Sequence, residues 1–153
     1  MPAWVMSQSP TVGTARNFLS VVWEGERPTD EILLRALDLL LAAYHHTPEA
    51  APTDTDLEPP RSGGPQLYRE VAARFPNYGH YPVFDPTASF EEDVMRGDAI
   101  DDLADLTLDM REVVWRAEHF GTDDAHWFFR LLYFHWGLHA RHLALYLHAR
   151  QFG

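Results

Sequence analysis

The segment of residues 123–150, D-D-A-H-W-F-F-R-L-L-Y-F-H-W-G-L-H-A-R-H-L-A-L-Y-L-H-A-R, constrains the fold more than any other part of the chain. It reads as one long helix whose first half is apolar on nearly every side, so other elements must enclose it. Five of the nine histidines lie on it, and no carboxylate follows Asp124. Residues 98–118, which contain D-D-L-A-D-L-T-L-D, form a second helical pattern that supplies what the first lacks. Residues 85–124 hold 13 acids against three arginines, whereas residues 125–153 hold three arginines and no acid. The simplest account of this split is two complementary helices side by side.

The remaining elements follow from punctuation and period. Residues 14–24 read as a short helix with Phe18, Leu19, Val22 and Trp23 inward, after a frayed start over residues 1–13. Thr29 caps a helix that runs to about His46, with Asp30 and Glu31 at the positive end of its dipole. Residues 48–65 are rich in proline, glycine and acids and read as a flexible exposed loop. Pro65 opens a helix reaching about Phe75, with Leu67, Val71 and Phe75 inward. Residues 76–96 read as an ordered loop pinned by Tyr81, Val83, Phe84 and Phe90. Gly121 closes the acidic helix, Thr122 caps the last one, and the two make a helical hairpin. No run alternates well enough for a strand. The expectation is an all-α, single-domain bundle (residues 1–153) of about five helices, with the aromatic C-terminal helix at its centre. A chain of 153 residues buries roughly 70% of its unfolded surface and so needs no disulfide or metal to fold.

Several chemistries are excluded by composition. There is no cysteine, and all 12 basic residues are arginines, so thiol catalysis, cysteine zinc sites, Schiff bases and a phosphate-loop lysine are absent. A net charge of −11 argues against a nucleic-acid partner, whose phosphates it repels. The N-terminal residues lack a basic region followed by an apolar run, and no apolar run approaches the ~20 residues that span a bilayer. The expected setting is the cytoplasm, with no membrane association.

On the acidic helix, at ~100° per residue, Ile100, Leu103, Leu106, Met110, Val113, Val114 and Ala117 share one face. Asp98, Asp101, Asp102, Asp105, Asp109, Glu112 and Arg116 share the other, which reads first as a solvated face. Asp102, Asp105 and Asp109 lie at its edge, within reach of a neighbouring helix. On the last helix His135, His139 and His142 project within ~60° of one another. Spacings of four and three place imidazoles on adjacent turns, as helical metal sites require. Asp105, Asp109, His135 and His139 are therefore candidate ligands for a divalent metal, with Asp102 outside them. The first reading of these rows is nevertheless a structural polar network with no cofactor, in which each Asp orients a His or Arg and fixes the helix register; the metal site is the alternative to it. Gly137 implies close packing beside Trp136, and the pairs Trp127/Leu131 and Phe134/Leu138 read as core. His45 and His46 read as an exposed helix end.

The motifs D-D-L-A-D-L-T-L-D-M and W-F-F-R-L-L-Y-F-H-W-G-L-H resemble a bacterial helical family described only as a domain of unknown function, whose pattern is D-L-A-D-I-Y-x-D-L followed by W-G-x-H near the C-terminus. Asp102, Leu103, Ala104, Asp105 and Asp109 match the first part, and Trp136, Gly137 and His139 the second. Thr107 stands where the family tends to have tyrosine. The resemblance implies an α-helical domain with a linked cluster of Asp102, Asp105, Asp109, His135, Trp136 and His139. The resemblance implies no activity; the residues themselves give two expectations, the first leading and the second its alternative. One is a non-catalytic interaction or regulatory module whose acidic surface serves a basic protein partner. The other is a metal-assisted hydrolase working between the last two helices.

Overall fold

The structure, a computed structural model, describes residues 9–61 and 63–153. It is a mostly helical single-domain bundle: α1 (Pro10–Trp23), α2 (Asp30–His46), α3 (Gly64–Arg74), β1 (His80–Val83), β2 (Met95–Asp98), α4 (Ala99–His119), α5 (Thr122–Leu131) and α6 (Tyr133–Phe152). The first helix starts earlier than its apolar period indicates. Ser9 accepts a hydrogen bond from the Val12 N–H, and Pro10, in the first turn, has no N–H to leave unsatisfied. The rest of the expected frayed start, residues 1–8, lies outside the described residues. Thr29 caps α2 as its sequence indicates. Thr122 does not cap α5, because the chain turns at Gly121, at φ +104°, and Thr122 already lies inside the helix.

Two differences from the sequence expectation shape the site. The first is a small antiparallel hairpin within residues 76–98, where no strand was expected. His80 pairs with Asp98, Tyr81 with Gly97, Pro82 with Arg96 and Val83 with Met95. These strands pair with each other and Tyr81 turns inward, but the aromatics of the connection do not pin it. Phe84 and Phe90 stand in solvent. Gly97 is required here, because a Cβ on it would lie 2.5 Å from Cε2 of Tyr81. The ring of Tyr81 thus lies over the second strand.

The second difference is that residues 123–150 are two helices. The chain bends at Leu132, whose φ of −90° and ψ of 7° leave the helical range. The bend disrupts the regular ladder, and local groups restore it. The Leu132 carbonyl accepts from the N–H of both His135 and Trp136, and the Trp136 indole N–H donates to the Phe129 carbonyl at 2.8 Å. No proline or glycine marks this position, so the bend is set by how Phe129 and Trp136 bury together. Gly137 accommodates the ring of Tyr133 one turn earlier, whose Cε1 would be 2.7 Å from a Cβ there. Tyr133 in turn stacks on Tyr44 of α2, so the close approach foreseen at Gly137 is made by a ring and not by a crossing backbone.

On α6 the buried stripe is Trp136, Ala140, Leu143 and Leu147. At ~100° per residue, Phe134, Leu138 and Leu145 fall on the opposite side, and all three are exposed, as is Leu131. The expected core pairs Trp127/Leu131 and Phe134/Leu138 are therefore not core, whereas Phe128 and Phe129 are. His135, His139 and His142 occupy the flank between the buried and exposed stripes. The most enclosed helix is α4, which packs against α1, α3, α5 and α6. Leu103, Leu106, Met110 and Val113 are fully buried on one face of it, each worth about 1.5–3 kcal/mol. Asp102, Asp109 and Glu112 on its other side are buried too, so the acid row is not the solvated face that its pattern suggests.

Candidate metal centre

Helices α4 and α6 run antiparallel along this acid row. Asp102 meets His139, Asp109 meets His135, and Asp105 lies between. Nδ1 of His139 is 2.6 Å from Oδ1 of Asp102, and Nδ1 of His135 is 3.0 Å from Oδ2 of Asp109. Both carboxylates are buried, so each imidazole is gripped from behind. That leaves the two Nε2 atoms pointing at one carboxylate. Oδ2 of Asp105 is 3.0 Å from Nε2 of His139 and 3.9 Å from Nε2 of His135. One donor atom from each of Asp105, His135 and His139 falls within 4.8 Å of the others. These three groups are the open part of the cluster, their side chains being 30%, 38% and 21% exposed.

The supporting carboxylates are themselves held. Tyr81 donates its hydroxyl to Oδ2 of Asp102. Arg61 reaches in from the loop before α3, with Nη2 on Oδ1 of Asp109 at 2.6 Å and Nη1 on Glu112 at 3.0 Å. Arg116 continues the chain, bonding Glu112 and Asp124 at 2.8 Å each. Asp124 accepts the Thr53 N–H from the same loop at 2.8 Å. Among the described residues no buried side-chain nitrogen or oxygen lacks a partner.

The charges do not balance. Of the five carboxylates, Asp109, Glu112 and Asp124 pair with the two guanidinium groups of Arg61 and Arg116, while Asp102 and Asp105 meet only imidazole nitrogens and the Tyr81 hydroxyl. Further positive charge is needed, and either protonated imidazole or a metal cation can provide it. Burial alone would lower the pKa of His139, but hydrogen bonds to Asp102 and Asp105 outweigh it and raise it to about 10. The hydrogen bond from His139 holds the Asp105 carboxyl below its ordinary range, against the opposing effect of burial. Asp101, one turn away, has its pKa raised by burial and by the Asp105 charge.

The sequence candidates thus divide by position. Asp105, His135 and His139 form the open triad. Asp109 was expected among the ligands, but both its oxygens are engaged, by His135 and Arg61, so it stands behind the triad as Asp102 does. Trp136 belongs to the core, its indole committed to Phe129. His142, half-buried, faces the hairpin instead of the carboxylates. His45 and His46 are exposed at the end of α2, as expected. Arg61 was missed. Its signal was the charge deficit of the acid row, together with its place as the only arginine between Arg35 and Arg69.

The fold and site together define a small helical protein with a carboxylate–histidine centre between two antiparallel helices. Among solved structures, the crystal structure of protein BF1032 from Bacteroides fragilis matches it with a TM-score of 0.71 over 94% of this chain and 91% of that one. At 16% identity this likeness shows a shared fold. No protein-family pattern matches the chain, and no curated protein does. No helix among the described residues is long and apolar enough to cross a membrane.

Proposed function

We propose that this protein binds one divalent transition metal through Nε2 of His135, Nε2 of His139 and the Asp105 carboxylate, and uses the open coordination positions for metal-assisted hydrolysis. The observation that carries this reading is the convergence of both Nε2 atoms on Asp105 while both Nδ1 atoms are held by buried carboxylates. Metal-ligating histidines characteristically donate their other ring N–H to such a carboxylate, which fixes the tautomer and raises ligand basicity. Two imidazoles and one carboxylate suit zinc, manganese or iron and leave positions for water and substrate. A metal-bound water can reach a pKa near ~7, which makes it a nucleophile at neutral pH. The motif resemblance covers two of these residues, Asp105 and His139. Within this reading the protein works in the cytoplasm of a bacterium, the setting expected from its sequence.

Elemental analysis of protein purified without a histidine tag tests the reading. About one equivalent of a divalent metal is expected, lost in Asp105→Ala and His139→Ala. Absence of metal after loading with zinc, manganese or iron, or metal retained by both variants, sinks it.

A second reading, an interaction module without catalysis, is favoured by the exposed stripe of Phe134, Leu138 and Leu145. A basic partner would not meet the α4 row, which is paired internally. It would meet Glu91, Glu92 and Asp93 of the hairpin connection, which are exposed. Reproducible capture of a partner that is lost in Leu138→Glu and indifferent to metal supports this reading over the first.

A further inference from the structure

The hairpin and α6 enclose a cavity of about 270 Å³ beyond the last ligand turn, lined by Tyr81, Val83, Phe84, His142, Leu145 and Tyr146. The rings of Tyr81 and Tyr146 lie 5.0 Å apart and are tilted by 31°, which gives the cavity an aromatic wall. Their hydroxyls are committed elsewhere. Tyr81 donates to Asp102, while Tyr146 accepts from the Gly79 N–H and from Arg150. The wall therefore offers chiefly ring surface. Leu145 and Phe84, 69% and 65% exposed, are large apolar side chains spent on the mouth of the cavity. Such exposure at a concave site marks binding. His142 is the polar group of the lining, and among the described residues it has no hydrogen-bond partner.

We propose that this cavity binds a small neutral molecule carrying one or two fused rings, with its ring against Tyr81 and Tyr146 and a hydroxyl or carbonyl oxygen on His142. The volume is at the lower end of ligand sites and too small for a helix or a folded partner. Neutrality follows from the surroundings. The lining holds no carboxylate or guanidinium, and Arg150, over the Tyr146 ring at 5.5 Å, is already paired with Asp30 at 2.8 Å. A charged ligand would lose its water there without gaining a partner. An apolar body with one polar contact is what remains. Tyr81 links this site to Asp102 and so to His139, but the proposal does not depend on a metal being bound.

Titration of the full chain with 2-naphthol, followed by amide NMR or calorimetry in the presence of EDTA, tests it. Saturable binding is expected with a Kd on the order of 100 μM. The charged analogue 2-naphthoate should bind at least ~10-fold more weakly. Ala149 also lines the cavity and is exposed, so Ala149→Trp, which fills the space, should weaken 2-naphthol binding at least ~10-fold. Leu145→Arg, also at an exposed position, should do the same and serves if the tryptophan variant is poorly folded. Three outcomes overturn the proposal: no saturation with 2-naphthol, undiminished binding in a folded cavity variant, or tighter binding of the naphthoate. Preference for an extended acyl chain over the fused ring would replace the proposed ligand class and counts against it.

Discussion

In metal-free protein His139 is held as an imidazolium between two carboxylates, and this makes stability fall with pH in a window where most proteins are flat. Its folded pKa is raised to about 10, against about 6.5 for an unperturbed histidine. The sign follows from linkage. A group whose pKa is raised on folding contributes fully below its unfolded value, and the contribution is lost as pH rises through the folded value. From pH 7 to pH 9 the native state keeps a proton that the unfolded chain has largely released. One proton of difference is worth ~1.36 kcal/mol per pH unit, so the expected loss is about 2–3 kcal/mol over that interval. Above pH 10 Tyr81 adds to the loss, because burial and its bond to Asp102 hold its hydroxyl well above the ordinary tyrosine range. The interval from pH 7 to 9 lies below the range in which Tyr81 contributes, and the His139→Gln variant assigns the slope. Urea unfolding followed by circular dichroism, in EDTA, should show this slope in the native sequence and lose it in His139→Gln. A flat stability curve between pH 7 and 9, or an equal slope in His139→Gln, refutes the assignment of charge in this cluster. Metal should reverse the trend, because it competes with that proton and binds more tightly as pH rises.

Three further outcomes follow from the contacts around the triad. Asp102→Asn and Asp109→Asn each keep the shape of a supporting carboxylate but remove its charge. Each should weaken metal binding about 10–100-fold by competition titration without changing the stoichiometry. Arg61→Met takes the guanidinium from buried Asp109 and Glu112; because Arg61 is part-exposed, the expected cost is about 1–3 kcal/mol in chemical denaturation, short of the cost of a fully buried pair. Gly97→Ala puts a Cβ into the Tyr81 ring, so unfolding should show a loss of about 1–3 kcal/mol and the crystal structure a displaced Tyr81.

Periodicity carried much of this architecture. The apolar face of α4 repeats cleanly, and the charge split between residues 85–124 and 125–153 pointed to the pairing of α4 with α6. The Asp and His spacings then named the residues that meet. The bend at Leu132 was not legible, because it is made by Trp136 reaching back to the Phe129 carbonyl and no breaker residue signals it. Phe134 and Leu138 are exposed because they lie opposite the buried stripe of Trp136, Ala140, Leu143 and Leu147 on α6. The hairpin was hidden because Tyr81 and Gly97 are far apart in sequence and only their packing makes strands of their neighbours. Asp109 looked equivalent to Asp105 on the helix wheel. What separates them is Arg61, brought in by a loop whose composition says nothing about where it lands.

The central claim is that Asp105, His135 and His139 hold one metal ion. An anomalous difference map from crystals grown with zinc or manganese tests it most directly. The account expects a single peak about 2.0–2.2 Å from Nε2 of His135, Nε2 of His139 and a carboxylate oxygen of Asp105, with Asp102 and Asp109 still on the Nδ1 atoms. A map without that peak, with Nε2 of His139 still bonded to Asp105, would contradict it.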